Sequence, residues 1–307
     1  MSKNIFLFSG QGSQYVGMAK ELYDNFESAK KVFEIANEVL GYDIADICFN
    51  GPDTELNKTV NSQPAIMACS LAAFEAVKEK GIKFDGVAGH SLGEYAAMAA
   101  SGVVSIEDGF KLIKARASAM QKAAEANSGS MYAIIGLSAE EVEKVCSEID
   151  GYVVPVNYNS TVQTVIAGET EACEKAAEVF ADMNKRAIKL NVASAFHSKL
   201  MQSAADEFIE TAKTVVFNAP NVEFYSNVLG GKLEDFSDMP NLLAKHIVSP
   251  VKFTSELAEM EKAGYENFVE LGPNKVLTGL VKKTLKGKKA VNVENMATLE
   301  KALEING

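Results

Sequence analysis

The sequence contains no tryptophan, and only 8% of its 307 residues are aromatic. Alanine, in contrast, is common, and hydrophobic residues make up 47% of the chain. A chain with few aromatic side chains and much alanine is typical of a helix-rich α/β protein and not of an all-β sandwich. The length and the apolar content are sufficient for one large domain or two modest ones.

The sequence also lacks a long hydrophobic run. The apolar stretch near the N-terminus, Ile5 to Phe8, is too short for the core of a signal peptide. No other stretch approaches the length that a membrane span requires. We therefore expect a cytoplasmic protein without membrane association.

Potential metal ligands are few and dispersed. The 4 cysteines form no CxxC pair, and the 3 histidines show no paired ligand spacing. Two cysteines fall within apolar helical patterns, which favours reduced structural thiols. We expect neither a metal nor a cofactor. The cysteines are Cys48, Cys69, Cys146 and Cys173.

The net charge of −11 argues against general nucleic-acid binding. The charge is uneven, however, because the segment 274–290, "NKVLTGLVKKTLKGKKA", carries several lysines and no acid. A solvated helix face is the simpler interpretation. The sharper one is a docking patch for an acidic partner, formed by Lys282, Lys283 and Lys286.

The order of predicted elements indicates two domains, one inserted in the other. From Ser130 onward the pattern is strand, helix, strand, strand, helix, strand, which is the ferredoxin-like βαββαβ order. Strands and helices of the first type resume afterwards. We therefore predict an α/β protein whose large, α/β-hydrolase-like domain comprises residues 1–127 and 196–307. The inserted small domain comprises residues 128–195.

The segment "GVAGHSLGEYAAM", residues 86–98, places Ser91 between two glycines at the junction of a strand and a helix. Gly-x-Ser-x-Gly in this context is a nucleophile elbow, in which the glycines permit a tight turn and the serine oxygen points outward. A serine that merely caps a helix is the alternative. The apolar strand before it and the helix-forming run after it favour the nucleophile.

A nucleophilic serine requires a base, and His197 is the preferred candidate. His90 is adjacent to the serine and is expected to pack in the sheet. His246 lies in the last turn of a helix, where an imidazole interacts favourably with the helix dipole without any chemistry. His197 lies where the chain returns from the small domain to the large one. No acid is placed to orient it, so a backbone carbonyl is expected to do so in a dyad.

Arg116 lies among apolar and small residues in "LIKARASAM". A lone arginine in such surroundings needs an anionic partner, either an internal carboxylate or a carboxylate ligand, and the sequence does not decide between them. The loop "SGQGSQ" after the first strand lacks a Walker lysine and a full dinucleotide fingerprint. The more useful interpretation is that this loop exposes a backbone N–H. That N–H would face the same oxyanion as the N–H of the residue after Ser91.

Together these motifs resemble the malonyl-CoA:acyl carrier protein transacylases of fatty-acid synthesis and the related acyltransferase domains of polyketide synthases. The resemblance extends over essentially the whole chain. Its motifs are "GQGSQ" near the N-terminus, "QPA" at 63–65, "GHSLGEY" at 89–95, Arg116, "NYNS" at 157–160, "AFH" at 195–197, "SPV" at 249–251 and "ELGP" at 270–273.

The resemblance implies a role for each matching residue. Ser91 is the expected nucleophile, His197 its base, and the backbone N–H groups of Gln11 and Leu92 the oxyanion hole. Arg116 is expected to pair with the malonyl carboxylate. Further substrate contacts are implied for Gln11, Asn159 and His246. His246 stands where several relatives have a glutamine whose main-chain carbonyl orients the base, and the sequence leaves open whether the carbonyl or the side chain of His246 acts.

The implied partners are malonyl-CoA and an acidic, phosphopantetheinylated acyl carrier protein, and "AFH" implies a preference for malonyl over methylmalonyl groups. Carrier docking is expected at Lys189 as well as at the C-terminal lysines, and the protein is expected to be a monomer. Two other classes remain: a serine thioesterase or esterase, for which Arg116 is dispensable, and a non-catalytic acyltransferase-like binding subunit. The intact Ser91, His197 and Arg116 disfavour the last.

Overall fold

A computed structural model describes residues 2–192 and 194–304 of the chain. Its strands are β1 (Lys3–Phe8), β2 (Gly86–Gly89), β3 (Ser130–Ile135), β4 (Val153–Ser160), β5 (Gln163–Gly168), β6 (Arg186–Lys189), β7 (Glu223–Ser226), β8 (Gly231–Lys232), β9 (Tyr265–Leu271) and β10 (Lys289–Val293).

The helices alternate with these strands along most of the chain. They are α1 (Lys20–Asn25), α2 (Glu27–Leu40), α3 (Ile44–Asn50), α4 (Asp53–Leu56), α5 (Thr59–Glu79), α6 (Gly93–Ala100), α7 (Ile106–Ala126), α8 (Ala139–Glu148), α9 (Thr170–Asp182), α10 (Gln202–Ala212), α11 (Met239–Val248), α12 (Phe253–Lys262), α13 (Val276–Thr284) and α14 (Met296–Leu303).

The larger sheet has the strand order β10-β9-β1-β2-β7-β8 and is parallel except for the β7–β8 pair. Its central strands β1, β2 and β9 are buried on both faces, which explains why they read as mostly continuous apolar runs. Alternate residues of β1 show this directly. Phe6 and Phe8 pack in the cluster that contains α2, α5 and α7, whereas Ile5 and Leu7 pack with α12 and α13 on the opposite face.

The smaller sheet is antiparallel, with the order β4-β5-β3-β6, and α8 and α9 pack on one of its faces. The predicted α/β fold with a βαββαβ insertion is therefore confirmed. The opposite face of this sheet joins the core of the larger unit through residues such as Met131 and Val165. The predicted boundaries at 127/128 and 195/196 stay predictions. The ends of the predicted large domain, residues 1 and 305–307, lie outside the described residues.

Two glycines allow β1, β2 and α6 to approach one another closely beside Ser91. A Cβ on Gly93 would lie 2.1 Å from the carbonyl oxygen of Phe8, and one on Gly89 would lie 2.0 Å from the backbone carbon of Gly93. Because neither contact is possible for a real side chain, both positions require glycine. The serine between them is thereby held at the carboxyl edge of the parallel sheet, where α/β proteins place their sites.

No helix in the described part of the chain is long and apolar enough to cross a membrane.

Candidate active site

Ser91 occupies the turn between β2 and α6 in a left-handed conformation, with φ of 54°. This region is unfavourable for a residue with a Cβ, at a cost of about 1–3 kcal/mol, and such strain is concentrated at functional sites. The turn directs the hydroxyl out of the sheet toward the inserted unit. The conformation is that of a nucleophile elbow.

His197 lies against this serine, with its Nε2 atom 2.7 Å from Ser91 Oγ. Its Nδ1 atom faces two backbone carbonyl oxygens, those of His246 at 3.0 Å and Ser249 at 3.1 Å. Because a carbonyl can only accept a hydrogen bond, Nδ1 carries the proton and Nε2 presents its lone pair to the serine. The pair therefore has the geometry of a dyad oriented by the main chain.

Burial, and after it the nearby positive charge of Arg116, lower the pKa of His197 to about 3. The hydrogen bonds to the carbonyls of His246 and Ser249 oppose this shift. The imidazole is consequently neutral near pH 7, which is the form that can accept a proton from Ser91.

Two backbone N–H groups are available beside the serine. Within residues 2–192 and 194–304, the N–H groups of Gln11 and Leu92 take part in no hydrogen bond. Leu92 precedes α6, so its N–H lies at the positive end of that helix, and Gln11 lines the cavity in front of Ser91. Both are suited to receive an oxyanion, and this role stays a prediction.

Arg116 extends from α7 into the same place, with only 1% of its surface exposed. Its Nη1 donates to Gln63 Oε1 at 2.6 Å, and its Nη2 donates to Ser91 Oγ at 3.1 Å. Across the described ranges it forms no ion pair with a carboxylate within 4.0 Å, and its Nε is without a partner. A buried cation with free donors beside the nucleophile favours the carboxylate ligand over the internal acid that the sequence left open.

The cavity in front of Ser91 has a volume of about 350 Å³ and lies between the two sheets. One part of its wall is apolar, formed by Met120, Met131, Leu190, Val192 and Phe196. The other part is polar and includes Gln11, Gln14, Asn57, Asn157 and the dyad. A short, polar acyl group attached to a longer chain fits such a lining.

Three residues are placed differently from the sequence prediction. His90 is half-buried at the cavity wall, not packed in the sheet, and its Nε2 lies 2.7 Å from Asn159 Oδ1. Asn159 therefore holds His90, and it is Asn157 that lines the cavity. The side chain of His246 is fully buried and turns away from the cavity toward Glu94 and Asn227. The His246 side chain does not line the cavity, whereas its backbone carbonyl faces His197 Nδ1.

The C-terminal lysines lie far from the cavity mouth. Lys282 and Lys283 are at the end of α13, and Lys286 is in the turn that leads to β10. α13 starts beyond the carboxyl end of β9 and runs back to the amino end of β10, so these lysines lie near the edge of the sheet opposite Ser91. This position argues against contact with a carrier whose arm must enter the cavity.

Lys189 is better placed. It ends β6 and directly precedes Leu190 and Asn191, which line the cavity. Its Nζ is exposed and lies 3.4 Å from Glu174 Oε1.

Sequence reasoning missed two polar residues of the site. Gln63 orients Arg116, and its only signal was its place in the "QPA" motif. Asn227 accepts a hydrogen bond from the backbone N–H of Ser91 at 2.7 Å, although 136 residues separate the two. No local pattern indicates such a contact. Among the residues that the structure describes, no group of three or more histidine, cysteine or acidic side chains could hold a metal ion.

Enzymes that work through an acyl-serine use a serine nucleophile, a neutral histidine in contact with it and free N–H donors. This site has all three. The family model described as "Acyl transferase domain" matches residues 5–303. The chain belongs to this family, and it is an acyltransferase.

Individual relatives agree with this assignment. The chain is 38% identical over 308 residues to the malonyl CoA-acyl carrier protein transacylase of Bacillus subtilis strain 168, with coverage of 99% of this chain and 97% of that protein. The Escherichia coli K12 protein of the same name is 38% identical over 310 residues, with 99% and 100% covered.

Solved structures of such proteins are also similar. The crystal structure of the Clostridium perfringens malonyl CoA-acyl carrier protein transacylase has a TM-score of 0.95 and 40% identity, covering 99% of this chain and 97% of that one. A malonyl-transacylase in complex with its type II polyketide acyl-carrier protein has a TM-score of 0.95 and 36% identity, covering 99% and 100%.

Proposed function

We propose that the protein transfers the malonyl group from malonyl-CoA to the phosphopantetheine thiol of an acyl carrier protein, and so supplies malonyl thioester for fatty-acid or polyketide synthesis. The observation that carries this proposal is the buried guanidinium of Arg116, which lies 3.1 Å from Ser91 Oγ without a carboxylate partner among the described residues. A malonyl group is an acyl group with a free carboxylate, and it satisfies both the nucleophile and the arginine at once.

In the first half-reaction, Ser91 Oγ attacks the thioester carbonyl carbon while its proton passes to His197 Nε2. The oxyanion of the tetrahedral intermediate accepts hydrogen bonds from the N–H groups of Gln11 and Leu92. In comparable sites the loss of one such donor costs about 3–4 kcal/mol. The carbon–sulfur bond then breaks, and the CoA sulfur takes the proton from His197. Malonyl-Ser91 remains, with its carboxylate on Arg116.

The second half-reaction runs the same steps in reverse with another thiol. The phosphopantetheine thiol gives its proton to His197 Nε2, and its sulfur attacks the ester carbonyl. The carbon–oxygen bond to Ser91 breaks, and the serine oxygen recovers the proton. No group other than protein and substrates takes part, and the two acyl transfers alternate in ping-pong order.

A thioesterase would use the same dyad, so the distinction lies in the fate of the acyl-serine. Hydrolysis needs a water activated on His197, whereas transfer needs water to be excluded until a thiol arrives. Met120, Met131 and Phe196 line the same cavity as His197 and give it an apolar wall, which disfavours a bound water. A carboxylate held on Arg116 keeps the ester in one orientation, which favours transfer.

The proposal includes a monomer in the cytoplasm. Ser91 Oγ contacts both His197 and Arg116 of the same chain, so the site needs no second copy. The four cysteines are free and buried, as is usual for proteins of a reducing compartment.

The first test is the intact mass of the protein after brief mixing with malonyl-CoA in the absence of a carrier. We expect a malonyl adduct that persists, is weak with acetyl-CoA, and is absent in Ser91→Ala. A covalent adduct that depends on Ser91 identifies the acyl-serine. Steady release of CoA without an adduct would mean that water is the acceptor, and the thioesterase interpretation would replace ours.

Charge reversal at Lys189 tests where the carrier docks. We expect Lys189→Glu to raise KM for an acidic carrier by about 3- to 10-fold, because a charge beside the mouth acts on encounter with the partner. Malonylation of Ser91 by malonyl-CoA alone should not change. The matched control is the double variant Lys282→Glu/Lys283→Glu, which alters charge at the far edge and should leave KM unchanged. If the double variant raised KM for the carrier and Lys189→Glu did not, the carrier would dock at the end of α13.

A further inference from the structure

Asn227 follows β7 and is fully buried behind the nucleophile elbow. Its Oδ1 accepts a hydrogen bond from the Ser91 N–H at 2.7 Å, and its Nδ2 donates to the Gly89 carbonyl at 2.7 Å. The second Nδ2 proton goes to Glu256 Oε1, also at 2.7 Å. The side chain thus spans the turn, because it binds the backbone on both sides of His90.

The orientation of this amide is determined by its partners. A backbone N–H can only donate and a backbone carbonyl can only accept, so the oxygen must face Ser91 and the nitrogen must face Gly89. His246 Nε2 lies 3.2 Å from the same oxygen and therefore donates to it. Both acceptor positions and both donor protons of the Asn227 side chain are used, which leaves it one arrangement.

Glu94 and Glu256 hold Asn227 in place from behind. The backbone N–H of Asn227 donates to Glu94 Oε1, and Lys252 N–H donates to the Asn227 carbonyl at 3.0 Å. Burial raises the pKa of Glu94 to about 8, and burial together with Glu94 raises the pKa of Glu256 well above its usual range. Burial thus favours the neutral, protonated form of Glu256, which lets it lie behind the elbow without a cation.

We propose that Asn227 is a positioning residue of the acyl transfer, which clamps the elbow so that Ser91 Oγ and the Leu92 N–H are held together in the geometry of attack. The left-handed Ser91 would relax to an ordinary conformation if the turn were free, since that costs less energy. Such a rotation moves the Ser91 Oγ and turns the peptide that carries the Leu92 N–H. One clamp thereby controls the nucleophile and an oxyanion donor.

The experiment compares the rate of malonyl-Ser91 formation per competent site, by rapid mixing with malonyl-CoA, for wild type and Asn227→Ala. The inference rests on the proposed function, and the wild-type burst tests that function separately. We expect Asn227→Ala to acylate about 10- to 100-fold more slowly with KM for malonyl-CoA within about 3-fold, as displacements near 1 Å do. The burst amplitude counts the folded, competent sites, so loss of folded protein lowers the amplitude and not the rate.

The matched control is Asn267→Ala. Asn267 is a buried asparagine of β9 whose Nδ2 donates to Asn4 Oδ1 at 2.8 Å, in the same sheet but away from the elbow. The Asn267→Ala variant should have a lower melting temperature and an unchanged rate of malonyl-Ser91 formation per competent site.

The conservative variant is Asn227→Asp, which keeps an oxygen for the Ser91 N–H, and we expect it to be faster than Asn227→Ala. If Asn227→Ala yields no folded protein, the rate of Asn227→Asp tests the proposal instead. A wild-type rate per site in Asn227→Ala, or an Asn227→Asp variant that folds but acylates at least about 100-fold more slowly than wild type, would overturn the proposal.

Discussion

Replacement of His197 by alanine is expected to lower the rate of malonyl-Ser91 formation by about 10³- to 10⁴-fold, near the upper end of what a general base contributes. Its Nε2, 2.7 Å from Ser91 Oγ, is placed to take the serine proton, and its neutral state makes it able to do so. His246 turns its side chain away from the cavity and His90 is bonded to Asn159, so neither is placed to substitute. Rapid mixing with malonyl-CoA and intact-mass detection measures the rate.

Two controls make this result specific. Imidazole added to the buffer should accelerate His197→Ala, because the truncation leaves space beside the serine, and it should have no effect on Ser91→Ala. If His197→Ala kept a rate within about 10-fold of wild type, far less than a general base supplies, the base would lie elsewhere. His90 would then be the next residue to replace.

The pH dependence follows from the same residue. The base must be neutral, and burial and Arg116 lower the pKa of His197 to about 3 in the free protein. The pH dependence of kcat/KM reports pKa values of the free enzyme. We therefore expect that protonation of His197 causes no loss of kcat/KM between pH 8 and pH 5. An unperturbed histidine would instead lose activity below about pH 6.5. Once the malonyl carboxylate offsets the charge of Arg116, the pKa of His197 rises, so the acid limb of kcat should lie at higher pH.

The parts of the site that the sequence could indicate are those governed by local rules. The glycines at 89 and 93 and the apolar run before them specify a tight turn between strand and helix, and the turn fixes where Ser91 points. The fold could be predicted for the same reason, since buried parallel strands read as continuous apolar runs and the βαββαβ order is visible in the succession of elements. A backbone carbonyl that orients His197 was inferred from the lack of an acid, and the structure has two.

The parts that the sequence could not give depend on packing between distant segments. Whether His246 serves through its carbonyl or its ring depends on how α11 lies against the elbow, and no periodicity encodes this. Asn227 is an ordinary polar residue after a short strand, and it matters only because β7 pairs with β2. The C-terminal lysines formed a clear pattern in the sequence, but the direction of α13 decides which edge of the sheet they occupy.

Replacement of Arg116 by alanine is expected to change the choice of acyl group more than any other substitution. Removing one member of a buried charge pair costs about 3–4 kcal/mol, which is about 10²- to 10³-fold in rate when that pair forms with the substrate. We expect the rate at which malonyl-CoA acylates Ser91 to fall by this factor in Arg116→Ala. Acetyl-CoA, which brings no carboxylate, should acylate Ser91 in the variant at least as fast as in wild type, since the hydrogen bond from Nη2 to the nucleophile is also removed.

Two further variants separate charge from geometry. Arg116→Lys keeps the charge but presents a single ammonium in place of the planar fork, so its malonyl-to-acetyl ratio should lie between those of wild type and Arg116→Ala. Arg186→Ala removes the only other arginine, an exposed residue at the start of β6, and should leave the ratio unchanged. The ratio is measured by competing the two CoA esters for Ser91 and weighing the adducts. If Arg116→Ala kept the wild-type ratio, the carboxylate would be recognised elsewhere, and Arg116 would serve only to hold Ser91 and Gln63, as a thioesterase would allow.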